Sequence, residues 1–110
     1  MIMEEKKLEG RYFADSMRCM ASATTMQKSL GKVFRNLQHT LLTADEVYRL
    51  AEILRDIQNN IWKMNKRLKK VDITLDVNDL KGEYASIYAG GYDVSLHLTR
   101  VKEYELEKLD

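Results

Sequence analysis

The feature that most constrains this chain is an apolar repeat that starts behind a helix cap. Thr43-Ala44-Asp45-Glu46 has the form of a capping box, in which the threonine hydroxyl takes a backbone N–H three residues on and the glutamate reaches back to the cap. Beyond it, Val47, Leu54, Ile61 and Leu68 recur every seven residues, and Leu50, Ile57 and Met64 fall three residues after the first three of them. An alternating three–four spacing keeps one stripe of a helix apolar, the pattern of a coiled-coil or long bundle helix. Asp45 and Glu46 suit the positive end of the helix dipole, and Lys66, Arg67, Lys69 and Lys70 suit the negative end. The spacing predicts a helix over 44–69, roughly 39 Å long at 1.5 Å per residue.

The segment before it also reads as helical. Met26, Leu30, Val33, Phe34, Leu37 and Leu41 share one face, and Phe13, Met17 and Met20 extend the stripe upstream. Ala21–Thr25 marks a kink or break, and Gly31 weakens the helix. A short connection at 39–42 makes the two helices antiparallel neighbours, so residues 13–70 are expected to form a long helical hairpin. Residues 1–12 fit an extra turn, an edge strand or a tail.

At Lys70/Val71 the apolar period drops to two. Val71, Ile73, Leu75 and Val77 alternate with polar residues, as in a half-buried strand. Residues 78–82 form a turn, and Gly90-Gly91 between β-rich runs predicts a two-residue hairpin. That hairpin sets Ala89 opposite Tyr92 and Tyr84 opposite His97. Ala85, Ile87, Ala89, Tyr92, Val94, Leu96 and Leu98 then form an apolar face. Tyr84, Ser86, Tyr88, Asp93, Ser95, His97 and Thr99 form the other. The expected fold is α+β in a single domain: the helical hairpin, a three-stranded antiparallel β-meander over 71–100, and a short helix or tail over 101–110.

Composition narrows the class. The 110 residues include no proline and one cysteine, Cys19, which excludes Pro-rich linkers and a disulfide-stapled scaffold. No apolar run reaches the ~18 residues needed to cross a bilayer. No N-terminal stretch has the order of a secretory leader, so a cytoplasmic setting and no membrane are expected. Net charge is +1, but it is unevenly spread. Residues 16–70 hold eleven Lys/Arg against four Asp/Glu, and residues 71–110 hold four against nine. Such asymmetry suits a polyanion-facing half, or association of the basic half of one copy with the acidic half of another.

Catalytic motifs are missing. Gly31-Lys32 lacks the upstream glycine of a phosphate loop, and there is no G-x-G-x-x-G or G-x-S-x-G. Cys19, His39 and His97 fall on separate elements with no metal-ligand spacing. Asp76, Asn78 and Asp79 read as a turn, because Leu80 and a displaced glycine break the calcium-loop pattern. His97 beside Tyr84 is the one pair resembling acid–base equipment, and no carboxylate or nucleophile joins it. No cofactor or metal is expected, and no enzyme.

Two surface features remain. Tyr84 and Tyr88, with His97, fall on the solvent face of a sheet, where tyrosines give large contact area at low entropy cost. Lys28, Lys32 and Arg35 on the first helix, and Lys63, Lys66 and Lys70 on the second, form basic stripes. Trp62 lies just off the seam, as a core edge or a dimer contact. The chain is therefore expected to be a non-enzymatic protein-interaction module. Adaptors and inhibitors encoded by phages and other mobile elements belong to that class. It would dock on a larger protein or on itself, with a homodimer expected. The alternative is a nucleic-acid-binding protein using the basic helical half, with affinity that falls steeply with salt.

Overall fold

The computed structural model describes residues 8–102. It is α+β: a five-stranded antiparallel sheet with two helices. The elements run β1 (Arg11–Cys19), α1 (Thr25–Leu37), β2 (Leu41–Thr43), α2 (Ala44–Met64), β3 (Ile73–Val77), β4 (Tyr84–Ala89) and β5 (Val94–Val101). Strand order is β2-β1-β5-β4-β3, so the first long strand and the last lie side by side in the middle. The helical hairpin followed by a three-stranded meander is therefore overturned. The segment β3-β4-β5 does pair consecutively, but as part of a wider sheet that β1 and β2 complete.

Residues 13–19, expected to be helical, are strand for a local cause. The strand slips register between Ala14 and Ser16, where Asp15 forms a bulge against β5. Tyr12 and Ala14 point to the core before the bulge, and Met17 packs on the core after it. One inserted residue turns a period of two into spacings of two and three. Read without knowledge of the bulge, Phe13, Met17 and Met20 mimic a helical face.

α1 begins where the break had been expected. Thr24 caps it: its hydroxyl accepts from Gln27 N at 3.2 Å, while Gln27 Oε1 accepts from Thr24 N at 2.8 Å. The helix ends at Leu37, and His39 turns the chain with a positive φ of 71°. α2 starts on the capping box at Thr43, but it stops at Met64 with Asn65 as cap, short of residue 69.

The two helices do not pair as a hairpin. α1 lies on β1 and β5, while α2 runs from β2 at one sheet edge to β3 at the other. Leu30 and Phe34 from α1 and Val47 and Leu54 from α2 join Tyr12, Ala14, Ile87, Leu96 and Leu98 in one buried cluster. Part of each helix's apolar surface is thus used on the sheet, the standard two-layer arrangement. Tyr12 is wholly buried, and its hydroxyl donates to the carbonyl of Gly82, tying β1 to the β3–β4 connection. Burial raises its pKa above the ordinary tyrosine value. Arg55 Nε donates to Ile73 O at 3.0 Å and anchors α2 to the outer strand.

The β4–β5 hairpin is wider than Gly90-Gly91 implies. Tyr84 pairs with Thr99, Ser86 with His97 and Tyr88 with Ser95, two residues on from the expected partners. A shift of two keeps every paired side chain on its face, because the strand period is two. Ala85, Ile87, Ala89, Val94, Leu96 and Leu98 are buried. Tyr92, expected among them, falls in the lengthened loop and is 74% exposed. No described helix is long and apolar enough to cross a membrane. The short helix or tail expected over 101–110 lies, from residue 103 on, outside the described residues, as do residues 1–7.

Candidate functional site

Both helices pack on one side of the sheet, no described helix covers the other face, and the side chains of that face follow from the register. β4 turns Tyr84, Ser86 and Tyr88 outward, and β5 turns Ser95, His97 and Thr99 outward. Ser86 therefore stands opposite His97, and Ser95 is two residues from it on the same strand. The imidazole bridges the two: Nδ1 lies 3.0 Å from Ser86 Oγ, and Nε2 lies 3.0 Å from Ser95 Oγ. Asn78 Nδ2 donates to the same Ser86 Oγ at 3.2 Å. Each serine hydroxyl can donate to or accept from the ring nitrogen it faces, so both imidazole nitrogens are engaged. Both serines are buried, although they belong to the open face.

An aromatic row extends from this histidine. The Tyr88 ring stands at 81° to His97 with centroids 6.4 Å apart, and Tyr92 stands at 86° to Tyr88 at 5.0 Å. Edge-to-face contacts of this kind hold rings in one orientation. Thr74, Asp76, Tyr88, Gly91 and Tyr92 line a cleft of about 220 Å³ beside them. Tyr84 is 51% exposed at the opposite end of β4. Across the sheet, Thr99 donates to the Asp15 carboxylate in the bulge, and Phe13 stacks with His39 at 6.0 Å.

The hydroxyls nearest the histidine are buried and occupied by it, so neither is presented to a substrate. Of the residues expected here, Tyr88 and His97 are brought together, and Tyr84 shares the face at a distance. Tyr92, Asn78 and Asp15 were missed. Tyr92 could have been found only by allowing a hairpin loop longer than Gly90-Gly91. Asn78 had been read as a turn residue, and the Asp15 bulge leaves no sequence signal beyond a broken alternation.

The basic residues divide. Lys28, Lys32 and Arg35 are exposed along α1. Lys63 is in the last turn of α2, and the ammonium groups of Lys66 and Lys70 each lie 5.5 Å from the Trp62 ring centroid. Trp62, half-buried, is thus flanked by cations of its own chain. Lys69 and Lys70 line a cleft of about 340 Å³ with Thr24 and Gln27 at the start of α1, and Asp72 and Asp93 share it. Two carboxylates therefore offset the two lysines there.

The helix seam also divides. Val47 and Leu54 are buried, while Leu50 and Ile61 are half-buried and Ile57, Met64 and Leu68 are exposed. The residues that α2 buries most are Ala44, Val47, Ala51, Leu54 and Gln58, so its buried face is turned toward one side of the seam. Cys19, His39 and His97 belong to β1, the α1–β2 connection and β5, and among the described residues no cluster of three potential metal ligands forms. Comparison with family models, curated proteins and solved structures finds no match to this chain.

Proposed function

We propose that the chain is a non-enzymatic binding module that engages a partner protein through the open face of its sheet. One observation supports this above the rest: Tyr84 and Tyr92 are largely exposed near the two ends of β4, and Tyr92 stands edge-on to Tyr88, which stands edge-on to a His97 ring held between Ser86 and Ser95. A pre-ordered aromatic surface loses little entropy on contact, which is why tyrosine is enriched at the centres of protein interfaces. The partner it fits presents a flat or gently convex surface with apolar area and hydrogen-bond groups for the phenol hydroxyls. The role is that of an adaptor or inhibitor acting by occupancy. A cytoplasmic setting accords with a chain whose one cysteine is free.

The test has two stages. Wild-type protein and a Tyr84→Ala/Tyr92→Ala variant are used side by side as bait in extract from the source cells. Any protein retained by the first alone is then purified and titrated calorimetrically against both. The expected result is binding that falls at least tenfold with the double variant and is unchanged by Leu80→Ala, an exposed substitution off this face. Binding that survives loss of both tyrosines refutes the proposal. A shift with DNA or RNA at low salt, abolished when Lys28, Lys32 and Arg35 become Glu, would replace it with the nucleic-acid reading.

A further inference from the structure

α2 carries more apolar surface than its own sheet covers. At 100° per residue, Val47, Ala51, Leu54 and Gln58 form the stripe facing the sheet. Leu50, Ile53, Ile57, Ile61 and Met64 form a second stripe on one flank of it. Ile53 is 40% exposed, Ile57 44% and Met64 86%. α1 packs on β1 and β5, and its C-terminal Leu37 shares a cleft with Leu50 and Ile53 at one end of this flank.

We infer that this flank is the interface of a homodimer, in which α2 pairs antiparallel with α2 of a second copy about a two-fold axis at Ile57. Three observations select a second copy as the occupant. The stripe is self-complementary: pairing about Ile57 sets Leu50 against Met64 and Ile53 against Ile61, apolar against apolar along its length.

The charges at its two ends are opposite. Asp45 and Glu46 occupy the first turn, whereas Lys63 is in the last turn and Lys66, Arg67, Lys69 and Lys70 follow it, all exposed. An antiparallel pair brings each acidic end beside the partner's basic end, twice by symmetry. A parallel pair would set like charges together. Complementarity of this kind fixes orientation as well as partner.

The extent suits a weak dimer. The 21 residues of α2 span roughly 31 Å. A helix pair of that length, ~10 Å wide, covers ~300 Å² in projection on each copy and ~600 Å² in total, the size of a weak contact. The dimer is therefore concentration-dependent, with a Kd on the order of micromolar. α2 lies across the sheet from the tyrosine face, so the dimer presents both tyrosine faces outward and does not depend on their having a partner.

The test is sedimentation equilibrium of the full chain at low and high salt. The expected result is a monomer–dimer equilibrium that weakens several-fold at high salt. Ile57→Glu, which sets two carboxylates at the axis, should weaken it at least tenfold, with the circular dichroism spectrum unchanged. In a Cys19→Ser background, Ile57→Cys should form a disulfide-linked dimer on mild oxidation. Ile53→Cys should not, because its two copies stand ~12 Å apart along the helices, beyond disulfide reach. Tyr84→Ala/Tyr92→Ala should leave the equilibrium unchanged. A monomer at every concentration, equal cross-linking at positions 53 and 57, or a dimer lost with the tyrosines would each overturn the inference.

Discussion

Replacing Gly90 by alanine tests the joint between α1 and the β4–β5 hairpin. Gly90 has φ of +76°, and a Cβ added there would lie 2.1 Å from Gln27 Nε2 and 2.9 Å from its Cδ. That amide is the far end of a flexible side chain, so it can swing away, but its bonds would break. Gln27 Nε2 donates to Ala89 O at 3.1 Å and to Gly90 O at 3.0 Å, while its Oε1 closes the capping box on Thr24 N. The left-handed backbone costs an alanine ~1–2 kcal/mol. Two hydrogen bonds lost in a buried setting add ~1 kcal/mol each. The expected destabilisation is thus ~3–4 kcal/mol.

Gly91 supplies the control. Its φ is +69°, but an added Cβ there meets nothing within 4 Å. Gly91→Ala should therefore cost only the backbone share, ~1–2 kcal/mol. Urea unfolding of both variants, followed by Trp62 fluorescence, should separate them by ~2 kcal/mol, and their melting points by ~8 °C or more. Combining Gly90→Ala with Gln27→Ala removes the collision, so the two changes should be non-additive by ~1–2 kcal/mol. Equal stability of Gly90→Ala and Gly91→Ala would refute the reasoning, since only the Gln27 contact distinguishes them.

Other outcomes follow from the same structure. Tyr12→Phe leaves the Gly82 carbonyl without its hydroxyl donor and should cost ~1–2 kcal/mol at neutral pH in a urea titration. Because the folded-state pKa of Tyr12 is raised, the wild type holds its full stability below the unfolded value of 10.0 and loses it as pH rises beyond; the variant's alkaline decline should be shallower. Ser86→Ala strips partners from both His97 Nδ1 and Asn78 Nδ2 and should cost ~1–3 kcal/mol by thermal denaturation. Tyr84→Ala/Tyr92→Ala, by contrast, touches exposed rings and should change stability by less than ~1 kcal/mol in the same assay.

The parts of the fold that local chemistry dictates were legible. Thr43 and Glu46 read as a cap because the motif is self-contained, and the β4 and β5 faces follow from strict alternation. The parts decided by distant partners were not. Residues 11–19 become a strand because β5, some eighty residues on, pairs with them, and their bulge disguises the alternation. The seam from Val47 to Leu68 has two meanings in one spacing, since a helix lying on a sheet needs the same stripe as a helix lying on a helix. The Thr24–Gln27 box has the same form as the Thr43–Glu46 one and was passed over, because the apolar run on either side of it reads as continuous. At the candidate site, Tyr84, Tyr88 and His97 follow from alternation alone. The bridging role of His97 does not, because it needs the two-residue register shift that sets Ser86 opposite it.

The central position of β5 governs the order in which the molecule can assemble. During synthesis, β2 can pair with β1, and β4 can pair with β3, as soon as each is made. Neither pair has a neighbour on its inner edge until residues 94–101 arrive to join them. Until then β1 and β4 each present a row of unsatisfied backbone groups, the kind of edge that invites pairing with another chain. Closing the sheet means bringing Arg11 to Val101, a contact of very long sequence separation. Folding on this topology is slowed by its non-local contacts, to between the range of helical bundles and the milliseconds to seconds of all-β domains. The last strand is therefore the keystone: its arrival turns two separate sheet fragments into one cooperative unit.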